Sequence, residues 1–321
     1  MALMLVLAAG AAGAAEQAVM TLDDPAGDDV GDGTLLYPTD GTLQPGDLDL
    51  RSLKISRDEN GYWFNASFGN FIRENWWSPL GEDNGVYDKH GQHQLRFSFN
   101  LDIYIDTDRK PGSGNLFTLP GRKVRIDRRY AWERAVLLSP RPKTVRSRLL
   151  RKLKENFPGR PEQEAEASID STMFFTDRRK ISDRSISFFV PRSFMGESNP
   201  KDWAVTAFVT MASPVVDDKD LGVLQVAKQP SSNTLGHTGT LPPPPLVDLL
   251  APTAARQFRI LSSAEALTAY SGDDTGEEES GPSYTRESFK SRLQSLKELH
   301  DRKVIDDATY QAQRRKLLGE L

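Results

Sequence analysis

The chain has 321 residues, 38% hydrophobic and 27% charged, enough to bury a sizeable core in one large domain or two modest ones. Its net charge of −4 argues against general nucleic-acid binding. It has no cysteine, which excludes disulfides, thiolate nucleophiles, thiolate-held metals and a lipidated N-terminal cysteine.

Residues 1–15 are an uncharged run of Ala, Gly, Leu, Met and Val, followed at once by Glu16. Ala12 and Ala14, or Gly13 and Ala15, supply a cleavage pattern of small residues. The run is therefore expected to be a signal peptide, although no Lys or Arg precedes it, and the mature protein to be exported to the periplasm, the cell envelope or the exterior. It is too short for a comfortable membrane span.

The next stretch, 23–40, reads DDPAGDDVGDGTLLYPTD. Asp23, Asp24, Asp28, Asp29 and Asp32 alternate with Gly27, Gly31 and Gly33, so it breaks helices. It is also too charged for a core strand. It can fold back tightly and aim several oxygens at one point, the donor set Ca²⁺ prefers, although a solvated turn-rich loop fits the same composition. It is not an EF-hand. Counting Asp28 as the first loop position puts Val30 third, where a ligand oxygen is required, and Thr39 twelfth, where a carboxylate is required. Calcium here would need carboxylates from elsewhere in the chain.

The body then reads as strands. Tyr62, Phe64, Ala66 and Phe68 alternate with polar neighbours and with Trp63. Over 94–105, Leu95, Phe97, Phe99, Leu101, Ile103 and Ile105 take the odd positions, which predicts one face in a core and the other towards water. Asp106-Thr107-Asp108 closes that strand in an acidic turn. Further short strands are predicted at 123–126, 131–138, 168–176, 185–190 and 203–211. With Gly/Pro/Asp turns between them and no βαβ rhythm, the expected fold is mainly β, an antiparallel β-sandwich over 16–269.

One basic helix is predicted at 143–157, with Val145, Leu149, Leu150, Leu153 and Phe157 on one stripe. It suits either an anionic partner or packing on the sandwich edge. Residues 228–245, ending in Pro242–Pro245, read as a loose and then stiff spacer. Residues 246–263 are apolar enough to dock on the main domain. An acidic linker follows at 270–283. Residues 284–321 form a small helical hairpin, too small to be stable alone, expected to pair with a copy of itself or with another envelope protein.

Several of these stretches resemble the C-terminal module of glucodextranase-like proteins: the acidic run, PGDLDL at 45–50, LDIYIDTD at 101–108, LPGR at 119–122, AWE at 131–133, VPRS at 190–193 and the segment 246–262. They occur in the family's order, from about residue 23 to 262, which is more specific than any one of them. The resemblance implies a β-sandwich related to the DOMON group and to carbohydrate-binding-module family nine. Such modules are exported, bind carbohydrate, hold calcium in some relatives, and are not catalytic. Residue by residue it gives Asp24, Asp28, Asp29 and Asp32 in the first loop and Asp47 and Asp49 in the second motif. The expected calcium set is Asp24, Asp28, Asp29, Asp32 and Asp49. The chain departs from the family at Leu35, where an aromatic is usual, and in the basic helix, which looks like an insertion. Residues 285–321 separately resemble a short C-terminal helical domain of bacterial proteins, through Leu293, Leu296, Lys297, Leu299, Ile305, Tyr310, Lys316 and Leu317-Leu318, which implies oligomerisation or docking.

Sugar binding needs aromatic faces for pyranose rings. Trp76-Trp77 is the leading candidate, because adjacent residues in extended backbone cannot both point into one core. Tyr87 and Trp63 are further candidates for the polysaccharide or glycan, while Trp132 and Trp203 suit the core. His90 and His93 flank Gly91-Gln92 and admit a haem reading by analogy with DOMON relatives. No nucleophile elbow, phosphate loop or HExxH motif occurs. The expectation is a non-enzyme that binds glycan, with an envelope scaffold as the alternative.

Overall fold

The computed structural model describes residues 17–39, 41, 43–72, 97–213, 215–232, 234–263 and 266–270, with the isolated positions 297, 310, 311 and 314. The predicted signal peptide, Trp76, Trp77, Tyr87, His90, His93, the acidic linker beyond Tyr270 and nearly all of the C-terminal hairpin lie outside the described residues.

Two five-stranded sheets face each other. The first contains β1 (Gln17–Asp23), β3 (Leu50–Arg57), β4 (Gly61–Phe68), β9 (Ser185–Pro191) and β8 (Arg179–Ser182), in that spatial order and antiparallel throughout. The second runs β12 (Leu246–Leu249), β10 (Ala204–Met211), β5 (Phe99–Asp106), β6 (Arg134–Leu138) and β7 (Met173–Phe175), with only β6 and β7 parallel among its pairs. A small sheet pairs β2 (Leu35–Leu36) with β11 (Gly236–His237). The β-sandwich expected from the alternating pattern is the fold observed.

The inward faces follow the period of two. Leu53 and Ile55 of β3, Tyr62, Phe64 and Ala66 of β4, and Ile186, Phe188 and Val190 of β9 meet Phe99, Leu101, Ile103 and Ile105 of β5 and Val205, Ala207 and Val209 of β10. The outer face of the first sheet keeps Trp63, Asn65 and Ser67 half-exposed, as a one-sided strand requires.

The second sheet corrects the expectation of a water-facing side. Every residue of β5 and β10 is buried, the even-numbered ones included. Tyr104 and Phe208 belong to a second core, with Ala135, Leu137, Leu246 and Leu249 from the same sheet. It is covered by Val145 and Leu149 of α1 (Pro142–Asn156), Ile169 of α2 (Glu162–Thr172), and Ile260 and Leu261 of α4 (Ala254–Ser262). The four-residue α3 (Arg192–Met195) lies between β9 and β10. Alternation reports the chemistry of side chains and not what later folds over them, so the buried polar residues Asn100 and Asp102 passed for a wet face.

Three further boundaries change. The strand predicted at 168–176 is mostly the end of α2, followed by the three residues of β7. The stretch 123–126 makes only single bridges, Phe117 with Arg125 and Ile126 with Leu267. The supposed spacer 228–245 instead packs back: Leu235 is fully buried and β11 pairs with β2 of the acidic loop. The basic helix is present, and its charges are largely met inside the chain. Arg146 pairs with Asp170 of α2 at 2.7 Å, Lys154 with Glu162, and Arg151 with Asp218. These exposed pairs add little stability, but they set the polarity of α1 against its neighbours. Phe157, predicted on its apolar stripe, is 56% exposed. No helix among the described residues is long and apolar enough to cross a membrane.

Candidate functional site

The acidic loop folds against the C-terminal end of the sandwich. Gly31 has φ +62°, and its amide donates to the Val247 carbonyl at 2.8 Å. A Cβ there would stand 2.7 Å from the Leu246 carbonyl oxygen and 2.5 Å from Leu35 Cδ1, so only glycine permits this approach. Gln257 of α4, fully buried, fastens it from the other side: Nε2 donates to the carbonyls of Asp28 (2.5 Å) and Gly31 (3.0 Å), and Oε1 accepts from the Leu249 amide.

Asp24 and Asp28 are thereby brought to Asp248 of β12. The three are buried, and one carboxylate oxygen from each lies within 4.8 Å of the others. Asp24 Oδ1 accepts from the Ala251 amide (2.7 Å) and Asp248 Oδ2 from the Leu50 amide (2.6 Å). Asp24 Oδ2 and Asp248 Oδ1 are shut off from water and accept no hydrogen bond among the described residues. Two such charges repel by roughly 3–4 kcal/mol at this separation and an effective dielectric constant of about 20. Burial first, then the charges of Asp28 and Asp49, pushes Asp24 from its ordinary 3.8 up to about 9. Burial, then Asp24, Asp28 and Asp29, holds Asp248 well above the carboxylate range. Arg51, whose charge opposes the shift of Asp24, is paired with Asp49 at 3.4 Å. Without a cation the cluster must keep a proton. With one, the orphaned oxygens become ligands, and an all-carboxylate donor set suits a hard ion such as Ca²⁺.

The other predicted ligands are held differently. Asp29 Oδ2 accepts from Tyr37 Oη (2.5 Å) and the Gly46 amide (2.6 Å). Asp32 Oδ1 accepts from Thr34 N (2.9 Å) and Oγ1 (2.6 Å). Asp49 accepts from the Gly27 amide (3.0 Å) and Arg51. These three therefore build the loop around the trio, with Asp29 and Asp49 near enough for their charges to act on it. Asp47 likewise accepts from the Gln44 amide and Asn70 Nδ2, both at 3.0 Å. Asp248 was not foreseen. It lies in the apolar run LVDLL, where a single acid carries no metal signature; its only signal is being a charge in the middle of a core strand.

The outer face of the first sheet carries one described aromatic candidate. Trp63 of β4 stands cross-strand from Phe189 of β9, with ring centroids 5.2 Å apart and planes tilted by 55°. Both are half-exposed. Trp63 Nε1 donates to Asp58 Oδ2 at 3.0 Å, which fixes its ring. Beside the pair runs a patch of polar side chains, with Asn65 donating to Ser187 Oγ at 2.7 Å and Ser52 hydrogen-bonded to Ser67 at 2.7 Å. Phe189 was missed because Phe188-Phe189 reads equally well as core on either face. Trp132 and Trp203 are 1% and 0% exposed, as core residues.

No curated protein matches the chain. The model of a family described as the C-terminal binding-module, SLH-like, of glucodextranase matches residues 19–270, which takes in both sheets, the acidic loop and α4. With its sandwich closed by the segment that resemblance predicted, the chain belongs to the glucodextranase C-terminal binding-module family.

Proposed function

We infer that this chain is an exported, non-catalytic carbohydrate-binding module that takes a glycan on the outer face of its first sheet and is stiffened by calcium at Asp24, Asp28 and Asp248. Membership of a family of binding modules, and not of catalytic domains, supports the class. The observation that carries the reading is the half-exposed Trp63–Phe189 pair set among Ser and Asn side chains. An aromatic face accepts the apolar C–H face of a pyranose, and neighbouring hydroxyls and amides exchange hydrogen bonds with its hydroxyl groups. Anchoring of the indole by Asp58 means that little rotamer freedom is lost on binding. The family's name makes a glucan the first ligand to try. The apolar run 1–15 supports export, and the leucine stripe of 284–321 supports self-association or docking by the tail.

The test is affinity electrophoresis of the mature protein in gels containing dextran or soluble starch. Trp63→Ala should weaken binding at least about tenfold, the loss typical of a central aromatic anchor. Phe189→Ala should weaken it less, because its ring is the flank of the platform. If both variants keep their fold and are retarded as strongly as the wild type, the sheet face does not bind the glycan.

A further inference from the structure

A second group of acids stands at the far end of β5. Asp106 is the last residue of that strand, Asp108 follows two residues later, and Glu133 immediately precedes β6. Pairing of Ile105 with Arg134 brings the two strand ends together, and one oxygen from each of the three acids lies within 4.8 Å of the others. Asp248 pairs with Val209 and Asp106 with Ala204, five residues away along β10. At a strand rise of about 3.4 Å, the two clusters are therefore roughly 17 Å or more apart and cannot share an ion.

Asp106 is 1% exposed. Its Oδ1 accepts from the amides of Asp108 (3.2 Å) and Arg109 (2.7 Å). Its Oδ2 is closed to solvent and accepts from no donor among the described residues. A buried carboxylate oxygen left in that state costs several times what a satisfied one does, so something must answer it. The nearby cationic side chains do not. Arg109 turns its guanidinium away, onto the carbonyls of Asp202 (2.7 Å) and Trp203 (3.0 Å). Lys110 meets Asp108 Oδ2 at 3.4 Å, but 76% of its side chain is exposed and its contact is with the rim acid. The remaining oxygens are already oriented. Thr107 donates its amide and hydroxyl to Glu133 Oε2, and Ser113 Oγ lies 3.0 Å from both Asp108 Oδ1 and Glu133 Oε1.

We propose that Asp106, Asp108 and Glu133 form a second divalent-cation site, of the hard, oxygen-ligated calcium class, that pins the turn after β5 to the start of β6. Three carboxylates, no nitrogen or sulfur donor, and one wall open to water through Asp108 and Glu133 match what Ca²⁺ accepts, with waters completing its shell. Ion entry is from the solvent side, where Asp108 keeps 33% of its side chain exposed.

The full mature protein, stripped with EDTA, is titrated with Ca²⁺ by calorimetry and with Tb³⁺ by luminescence under tryptophan excitation. Trp132, the residue directly before Glu133, is placed to sensitise Tb³⁺ at this site. Asp108→Asn and Glu133→Gln should each weaken one class of site at least tenfold and remove most of the sensitised emission, while the response lost in Asp248→Asn stays intact. The two substitutions lie at the exposed rim, and either one alone suffices should the other disturb folding. Isotherms and emission that superimpose on the wild type in both rim variants would overturn the proposal, as would the absence of any wild-type binding at this site at millimolar Ca²⁺. Loss of response in Asp248→Asn alone would leave only the first cluster as a cation site and refute the second.

Discussion

Arg122→Ala should lower the free energy of unfolding by about 3–5 kcal/mol, the range expected when one partner of a buried ion pair is removed. Arg122 and Asp102 are each 1% exposed. The guanidinium meets the carboxylate with two contacts, Nε to Oδ2 at 2.8 Å and Nη2 to Oδ1 at 3.2 Å, and its Nη1 donates to the carbonyls of Pro120 (3.1 Å) and Leu221 (3.2 Å). Tyr104 Oη adds a weaker contact to Asp102 at 3.3 Å. Truncation leaves Asp102 buried and short of its main partner, and takes the guanidinium donor from the carbonyls of Pro120 and Leu221. The double variant Asp102→Leu/Arg122→Met should recover much of the loss, because an apolar pair needs no partner in that core. Urea denaturation at constant m reads both effects. A single Arg122→Ala variant within about 1 kcal/mol of wild type would mean that water reaches the pair, contrary to its burial.

Calcium should raise the thermal midpoint of the EGTA-treated protein. At a hundredfold excess over Kd the gain is about 2.7 kcal/mol, or roughly 5–10 °C for a domain of this size. Asp248→Asn and Asp28→Ala should each abolish most of the rise. Before calcium is added, Asp248→Asn should be no less stable than wild type near pH 8, because the folded state no longer has to protonate a buried carboxyl that is ionised in the unfolded chain; a merely structural residue would give the opposite sign. The pH dependence has a definite direction as well. Asp24 has a folded-state value near 9 against an ordinary 3.8, so the cation-free folded state binds its proton more tightly than the unfolded chain does. The stabilisation this supplies is full below about pH 4 and is lost as pH rises towards 9, so the midpoint of the EGTA-treated protein should fall across that window. Calcium replaces the proton, flattens the slope and binds more tightly as pH rises. Equal midpoints with EGTA and with calcium from about pH 6 to 9 would remove the cation from this cluster.

The strands were legible where one face stays wet. Tyr62, Phe64, Ala66 and Phe68 point inward as their spacing requires, and Trp63 and Asn65 outward. Over β5 the same logic fails, because whether Asp102 and Tyr104 meet water depends on α1, α2 and α4, which arrive from distant parts of the chain. Helix α2 escaped notice since it buries only Ala165 and Ile169, too few to draw a stripe. The acidic loop advertised its oxygens through composition, yet composition could not separate Asp24 and Asp28 from Asp29 and Asp32, whose carboxylates bind Tyr37 and Thr34. That division follows from a hydrogen-bond pattern that only the folded backbone defines, and Asp248 lies 220 residues beyond Asp28 (248 − 28) in a stretch that reads as plain core.

The contacts that close the acidic loop join opposite ends of the chain: Ala251 donates to Asp24 across 227 residues and Leu50 to Asp248 across 198. Strand β12, which carries Asp248, is also the last strand to be synthesised among the described residues and the outer neighbour of β10. Until it arrives, β10 is a largely apolar strand with an unpaired backbone edge, and the long loops already spanned make its docking slow. A product that stops short of residue 246 therefore lacks more than a ligand. It presents an open edge to other copies of itself, so the segment that completes the carboxylate cluster also guards the module against aggregation while it is being made.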